Sequence, residues 1–226
     1  MPSRSRHALA VLLLVLLSAC DNSSPPLDSP QGSSDIISLP ISSLSASIDC
    51  EDAAAWVAEN RDQVPVNLRD MRSAPIQIQK ASYSVLTEDI QTELWTDHLE
   101  SYRSFVDADK LNLLDRIIHH ISESGVNNTD DSLINQGFLE DNFGDMATMM
   151  FSTLQVPESK LVSYSSLTYS GLYDLGSEDP GDCRCSVIQD YCYSSHCEAT
   201  WRCHTTDSGC GTLWRQACNG LCGGGY

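Results

Sequence analysis

Eight cysteines stand in the last 44 residues of this chain, at positions 183, 185, 192, 197, 203, 210, 218 and 222. A unit that short buries too little apolar surface to hold itself together, so small exported units are stapled by cross-links that shrink the unfolded ensemble. The cysteine density is roughly twice the ~8–10 % that marks a disulfide scaffold. Cys183 and Cys185 are too close to bridge each other comfortably, so each is expected to pair elsewhere. Eight cysteines admit on the order of a hundred pairings, and spacing alone selects none. Zinc competes for the same residues, since His196-Cys197 and Cys203-His204 offer ligand types. The Cys-x-x-Cys knuckles of structural zinc sites are absent, however, so disulfides are expected and no metal. A Cys/His nucleophile pair would need a free thiolate beside an imidazole in a cleft, and is disfavoured with it.

The other end of the chain reads as an export signal. Arg4 and Arg6 precede an apolar run, Ala8–Leu17, and Leu17-Ser18-Ala19-Cys20 follows. A basic start, a short apolar core and small residues make a secretory signal over residues 1–19. The run is about half the ~20 residues that a spanning helix needs. Leu-Ser-Ala-Cys resembles the lipobox of bacterial lipoproteins. That resemblance implies cleavage before Cys20 and a lipid on its thiol, anchoring the chain to a bacterial membrane. Residues 20–48 follow as a tether. Asp21–Ser47 holds ten serines and four prolines, and such a stretch cannot offset its ordering entropy by burial.

Charge is distributed unevenly. Of 31 acidic and 13 basic residues, the segment 183–226 takes three of each and is neutral. The signal carries its two arginines, which leaves a net charge of −20 on residues 20–182. So acidic a region repels nucleic acid, which is excluded as a partner. The acid is expected to keep the folded middle soluble; the sharper alternative is an acidic segment that chaperones or masks a neutral module.

Residues 49–156 form an acidic helical domain. A helix is expected over Asp52–Asn60, which is rich in alanine. Over Leu86–Val106, Leu86, Ile90, Leu94, Leu99 and Val106 make a stripe widened by Trp95, Tyr102 and Phe105, the period of one helix face. Thr87 stands at the cap position, with Glu88 and Asp89 at the positive end of the dipole. Lys110–Glu123 repeats the pattern with Leu111, Leu114, Ile117, Ile118 and Ile121, and Gly125 ends it. Leu133–Leu139 and Phe143–Leu154 are weaker, and Pro157 stops the last. Three to five helices and no extensive sheet are expected. His119 has Asp115 and Glu123 four residues to either side, but solvated helix charges explain that spacing better than a metal site. Met146, Met149 and Met150 read as core filler. Cys50 is the odd cysteine and is expected as a free buried thiol. No phosphate loop, Gly-x-Ser-x-Gly or His-Glu-x-x-His occurs, so neither an enzyme nor a cofactor is expected.

Residues 157–182 read as a linker. Leu161–Leu175 alternates loosely, as a strand or an extended segment would. Gly176–Asp182 is all turn chemistry, and Asp179, Pro180, Gly181 and Asp182 make a candidate processing region. Within the module, Tyr191, Tyr193, Trp201, Trp214 and Tyr226 are many aromatics for so small a core. They are candidates for an exposed contact surface, the alternative being that the tryptophans pack over disulfides. The fold class is therefore mostly α, a small helical region followed by a disulfide-rich module with little regular structure.

Cys183-Arg-Cys-Ser-Val-Ile-Gln-Asp-Tyr-Cys192, then Cys197 and Cys203, then Gly209-Cys-Gly-Thr-Leu-Trp214, Cys218-Asn-Gly220 and Tyr226 together resemble the bacteriocin fulvocin C-related proteins. Leu94-Trp95 through Arg103 resembles, more weakly, the segment before the module in such precursors. The resemblance implies a precursor whose C-terminal peptide is cut free near the processing region by a protease, is held by four disulfides, and inhibits other bacteria. Its partner would be a target bacterial envelope, reached without catalysis. The alternative is a surface lipoprotein whose module stays tethered and binds an envelope or cell-surface partner without killing.

Overall fold

A computed structural model describes residues 38–44, 48–156, 183, 185–189, 191–192, 196–200, 203 and 205–223. The first helix, α1 (Cys50–Glu59), starts where Asp49 accepts the backbone N–H of Asp52 at 2.8 Å. This satisfies one of the donors that a helix start leaves open. α1 buries Ala53, Trp56 and Val57. Of the segment before it, residues 38–44 and Ile48 pack against this helix. Ile41–Ser43 forms a 3-10 turn, the Leu39 carbonyl accepts the Trp56 indole N–H at 2.9 Å, and Ile41, Leu44 and Ile48 pack on Trp56 and Ile78. The apolar residues among the serines account for this, since they have a buried tryptophan to cover.

Seven further helices follow among the described residues: α2 (Leu68–Ser73), α3 (Ile76–Val85), α4 (Glu88–Glu100), α5 (Leu111–Ser124), α6 (Asp131–Ile134), α7 (Gln136–Phe143) and α8 (Met146–Ser152). That exceeds the expected three to five because local punctuation cuts the chain finely. Pro75 begins α3, Asn135 caps α7 by accepting from Gly137 and Phe138, and Gly144 turns with φ 58° before α8. No strand occurs between residues 48 and 156. The amphipathic stripes do face inward. Leu94, Trp95, Leu99, Leu114, Ile117 and Ile121 are buried in one core with Met150, Phe151 and Leu154.

The cysteine-rich end forms two short antiparallel pairs. β1 (Cys197–Ala199) pairs with β4 (Gly220–Cys222), and β2 (Thr206–Cys210) pairs with β3 (Gln216–Cys218). A 3-10 turn, Thr212–Trp214, joins β2 to β3. The chain is thus mostly α with a disulfide-held, strand-poor end. The two regions share a core, because Leu213 and Trp214 belong to the same buried cluster as the helices. No helix among the described residues is long and apolar enough to cross a membrane.

Candidate functional site

The eight module cysteines form four bridges: Cys183–Cys203, Cys185–Cys197, Cys192–Cys222 and Cys210–Cys218. Neither Cys183 nor Cys185 bonds the other. Cys183, Cys203, Cys210 and Cys218 are buried together with Leu221 against them, whereas Cys192, Cys197 and Cys222 are half-buried. Cys50 is not the expected free thiol; it is disulfide-bonded. Cys185, Cys192 and Cys197 bring their sulfurs within 4.8 Å of one another. They are all oxidised, so none has a thiolate to offer a metal.

The backbone around these bridges is tight. A Cβ on Gly220 would lie 2.6 Å from the Cys197 sulfur and 2.7 Å from the Glu198 carbonyl oxygen. Gly220 exchanges backbone hydrogen bonds with Cys185, and Asn219 Oδ1 accepts the N–H of Val187. These contacts present Val187 and Ile188 to solvent, Ile188 being 73 % exposed. They are the exposed apolar pair of the module among the described residues.

The β2–β3 turn is built differently. Gly211 has φ 69°, and two side-chain-bearing residues follow in the same region, Leu213 at φ 56° and Trp214 at φ 55°. Left-handed backbone at such residues costs of order 1–3 kcal/mol each and persists only where the surroundings enforce it. Three devices hold the turn here. Cys210–Cys218 closes its base. Gln189 Oε1 accepts the Thr212 N–H at 2.8 Å, and the Tyr191 hydroxyl lies 2.7 Å from Thr212 Oγ1. Burial raises the Tyr191 phenol well above its ordinary value.

The helices receive that turn in a prepared seat. The Trp214 ring meets Tyr83 and Trp95 edge-on, with centroids 5.4 and 5.7 Å away. Trp95 donates its indole N–H to the Tyr83 oxygen at 3.1 Å, and the Tyr83 hydroxyl donates to the Leu213 carbonyl at 3.3 Å. Burial pushes the Tyr83 phenol up as well. Trp214 donates its indole N–H to the Ser152 carbonyl at 2.8 Å.

Ser152 ends α8, where a helix leaves its last carbonyls without intrahelical donors. Other side chains satisfy its neighbours. His98 Nε2 lies 3.3 Å from the Met149 oxygen, Arg72 Nε donates to Leu154 at 2.6 Å, and Tyr102 donates to Gln155 at 2.6 Å. Arg72 also donates to His98 Nδ1 at 2.8 Å, which places the ring proton on Nε2, facing Met149. Burial, then the Arg72 charge, push the His98 imidazole down to about 3, so it is neutral. At the rim, Arg215 donates to Asp131 at 3.1 Å and to the Asn127 carbonyl at 3.4 Å. A cleft of about 400 Å³ is lined by residues of α1, α3 and β2, and the stem of Lys80 packs against Gly209.

The candidate contact aromatics therefore divide. Trp214 and Tyr191 are buried, at 1 % and 6 % exposure, and offer no free surface in the intact chain. The reason is chemical: Trp214 finds an acceptor at an open helix end, and Tyr191 finds Thr212. Tyr193, Trp201 and Tyr226 lie outside the described residues, as do Cys20, Leu161–Leu175 and the processing residues Asp179, Pro180, Gly181 and Asp182. In α5, His119 is exposed and Asp115 pairs with Arg103 at 2.6 Å, so no ligand set gathers there among the described residues. The exposed pair Val187–Ile188 was not singled out by the sequence. Two apolar residues just after a cysteine were the available signal.

Fold and site together define a helical domain that seats the turn of a four-disulfide module. No protein-family model matches the chain, and neither a curated protein nor a solved structure does.

Proposed function

We propose that the chain is a bacteriocin-like lipoprotein precursor whose C-terminal peptide inhibits other bacteria by non-enzymatic action at the envelope. The module is disulfide-rich, as small secreted or surface peptides are. The resemblance of Cys183–Tyr226 to the fulvocin C-related proteins supplies the antibacterial role. The signal-like residues 1–19 and the lipobox-like Leu17-Ser18-Ala19-Cys20 support an exported location. The observation that carries the reading is the seating of Leu213 and Trp214 among the helices. An apolar turn held in costly backbone and covered by an upstream domain suits an effector kept masked in its precursor.

Growth inhibition tests this reading. The intact oxidised chain should clear no bacterial lawn, whereas the oxidised 181–226 peptide, freed of the helices, should clear some. The reduced and alkylated peptide is the control and should be inactive. A homogeneous oxidised peptide that inhibits nothing across a broad panel would defeat the toxin reading.

One observation favours the tethered alternative. Val187–Ile188 stays exposed in the intact chain on a loop pinned by Cys185–Cys197 and Asn219. A lipoprotein that binds a surface partner through an uncleaved module would use this loop. Ile188→Asp would then abolish binding of the intact chain to cells.

A further inference from the structure

We infer that the helical domain is a binding partner of the module in its own right, recognising the Thr212–Arg215 turn, and that it keeps the module after the linker is cut. The inference rests on the precursor reading. It deepens that reading by separating cleavage from release.

The argument starts from where the contacts lie. Trp214 is held by Ser152 of α8, Tyr83 of α3 and Trp95 of α4. Leu213 is held through its carbonyl by Tyr83, and Arg215 by Asp131 and Asn127. Gly209 lies on the Lys80 stem, where even a Cβ would approach Lys80 Cδ to 3.2 Å. None of these contacts uses residues 157–182, so hydrolysing a bond there removes none of them. Cleavage only turns an intramolecular contact into an intermolecular one.

The seat has the anatomy of a strong protein interface. A tryptophan at its centre is fully desolvated, makes edge-on contacts with two aromatic rings and satisfies its N–H, with a charged pair at the rim. The turn is also preorganised: Cys210–Cys218, Gln189 and Thr212 fix its backbone within the module, so little is lost in ordering it. On the precursor reading, a helical half that stays with the producing cell would bind free module there, which is the chemistry of self-protection.

The test uses the full oxidised chain with a protease recognition sequence placed within residues 157–182. After complete cutting, shown on a denaturing gel, the halves are followed by size exclusion at micromolar concentration and by tryptophan fluorescence. Co-elution with slow exchange is expected. Tyr83→Phe keeps the ring but removes the hydroxyl that reaches the Leu213 carbonyl, and should speed dissociation about fivefold, as expected for the loss of one hydrogen bond across the seat. Ile188→Ser lies outside the seat and should leave dissociation unchanged. Trp214→Ala should let the halves separate; should it fail to oxidise correctly, the Tyr83→Phe rate decides. Halves that part as soon as the bond is cut would overturn the inference.

The toxin reading is scored separately on the same samples. If the halves stay together while the denaturant-separated, reoxidised module clears no lawn, the seat stands and the toxin reading falls. If the halves part and the module clears, the reverse holds.

Discussion

At the scale of single residues, Trp214 and His98 carry most of what is unusual here. Trp214 joins regions that differ in charge and in covalent chemistry. Trp214→Ala should lower the unfolding free energy by about 3–5 kcal/mol, as large-to-small changes of buried aromatics do. Urea denaturation of the intact oxidised chain would measure it, with the helical signal and the tryptophan signal falling together. His98 makes a pH prediction. Its folded value of about 3 lies below the ordinary 6.5 because burial and Arg72 oppose the proton. Between those values the unfolded chain binds a proton that the folded chain refuses, so stability rises with pH across that window and falls on acidification. The slope approaches about 1.4 kcal/mol per pH unit. A thermal midpoint that declines between pH 6.5 and 5 in the wild type and stays flatter in His98→Gln would assign the effect. The sequence disclosed these residues unevenly. The cysteines were legible because density alone demands cross-links. The pairing was not, because it depends on which strands meet. Trp214 read as a candidate for exposure because a 44-residue unit has little core of its own; nothing local says that it borrows the core of another region.

At the scale of elements, the stripes of α4 and α5 were legible because their apolar residues recur with helical period and their ends carry Thr87 and Gly125. α3 was not. Ile76-Gln-Ile-Gln alternates with period two, and only the packing of Ile78 and Tyr83 makes it a helix. α2 and α6 are too short for periodicity to register and owe their starts to Asn67 and Asp130. The cap of α1 gives a modest prediction: Asp49→Ala should cost about 1 kcal/mol, read as a lowered urea midpoint without change in slope. The β1–β4 pair gives a sharper one. Gly220 meets Cys197 and Glu198 too closely for any side chain, so Gly220→Ala should misalign the strands and spoil the Cys185–Cys197 bridge. Mass spectrometry after oxidative folding would show mixed pairings, and a single native pairing would refute the argument.

At the scale of the whole molecule, two regions with unlike solutions to stability depend on each other. The helices close a conventional apolar core, yet leave a place in it that Leu213 and Trp214 fill. The module is stapled four times, yet its turn adopts a backbone that isolated residues avoid. Reduction should therefore act at a distance. Breaking the bridges loosens the turn, withdraws Trp214, and should lower the thermal midpoint of the helices even though no module bridge lies within them. Circular dichroism of the oxidised full chain carrying Cys210→Ser with Cys218→Ser, which opens the turn and leaves the Cys50 bridge in place, would test this; an unchanged helical transition would show that the regions are independent.

The open end of α8 also sets an order of events in time. During synthesis, Ser152 emerges 62 residues ahead of the indole that answers its carbonyl. Until position 214 has been made, the Ser152 carbonyl lacks its indole donor and the core around Trp95 has a vacancy. The nascent chain thus stays short of its final packing until that residue is made. Position 214 supplies the piece that closes the core.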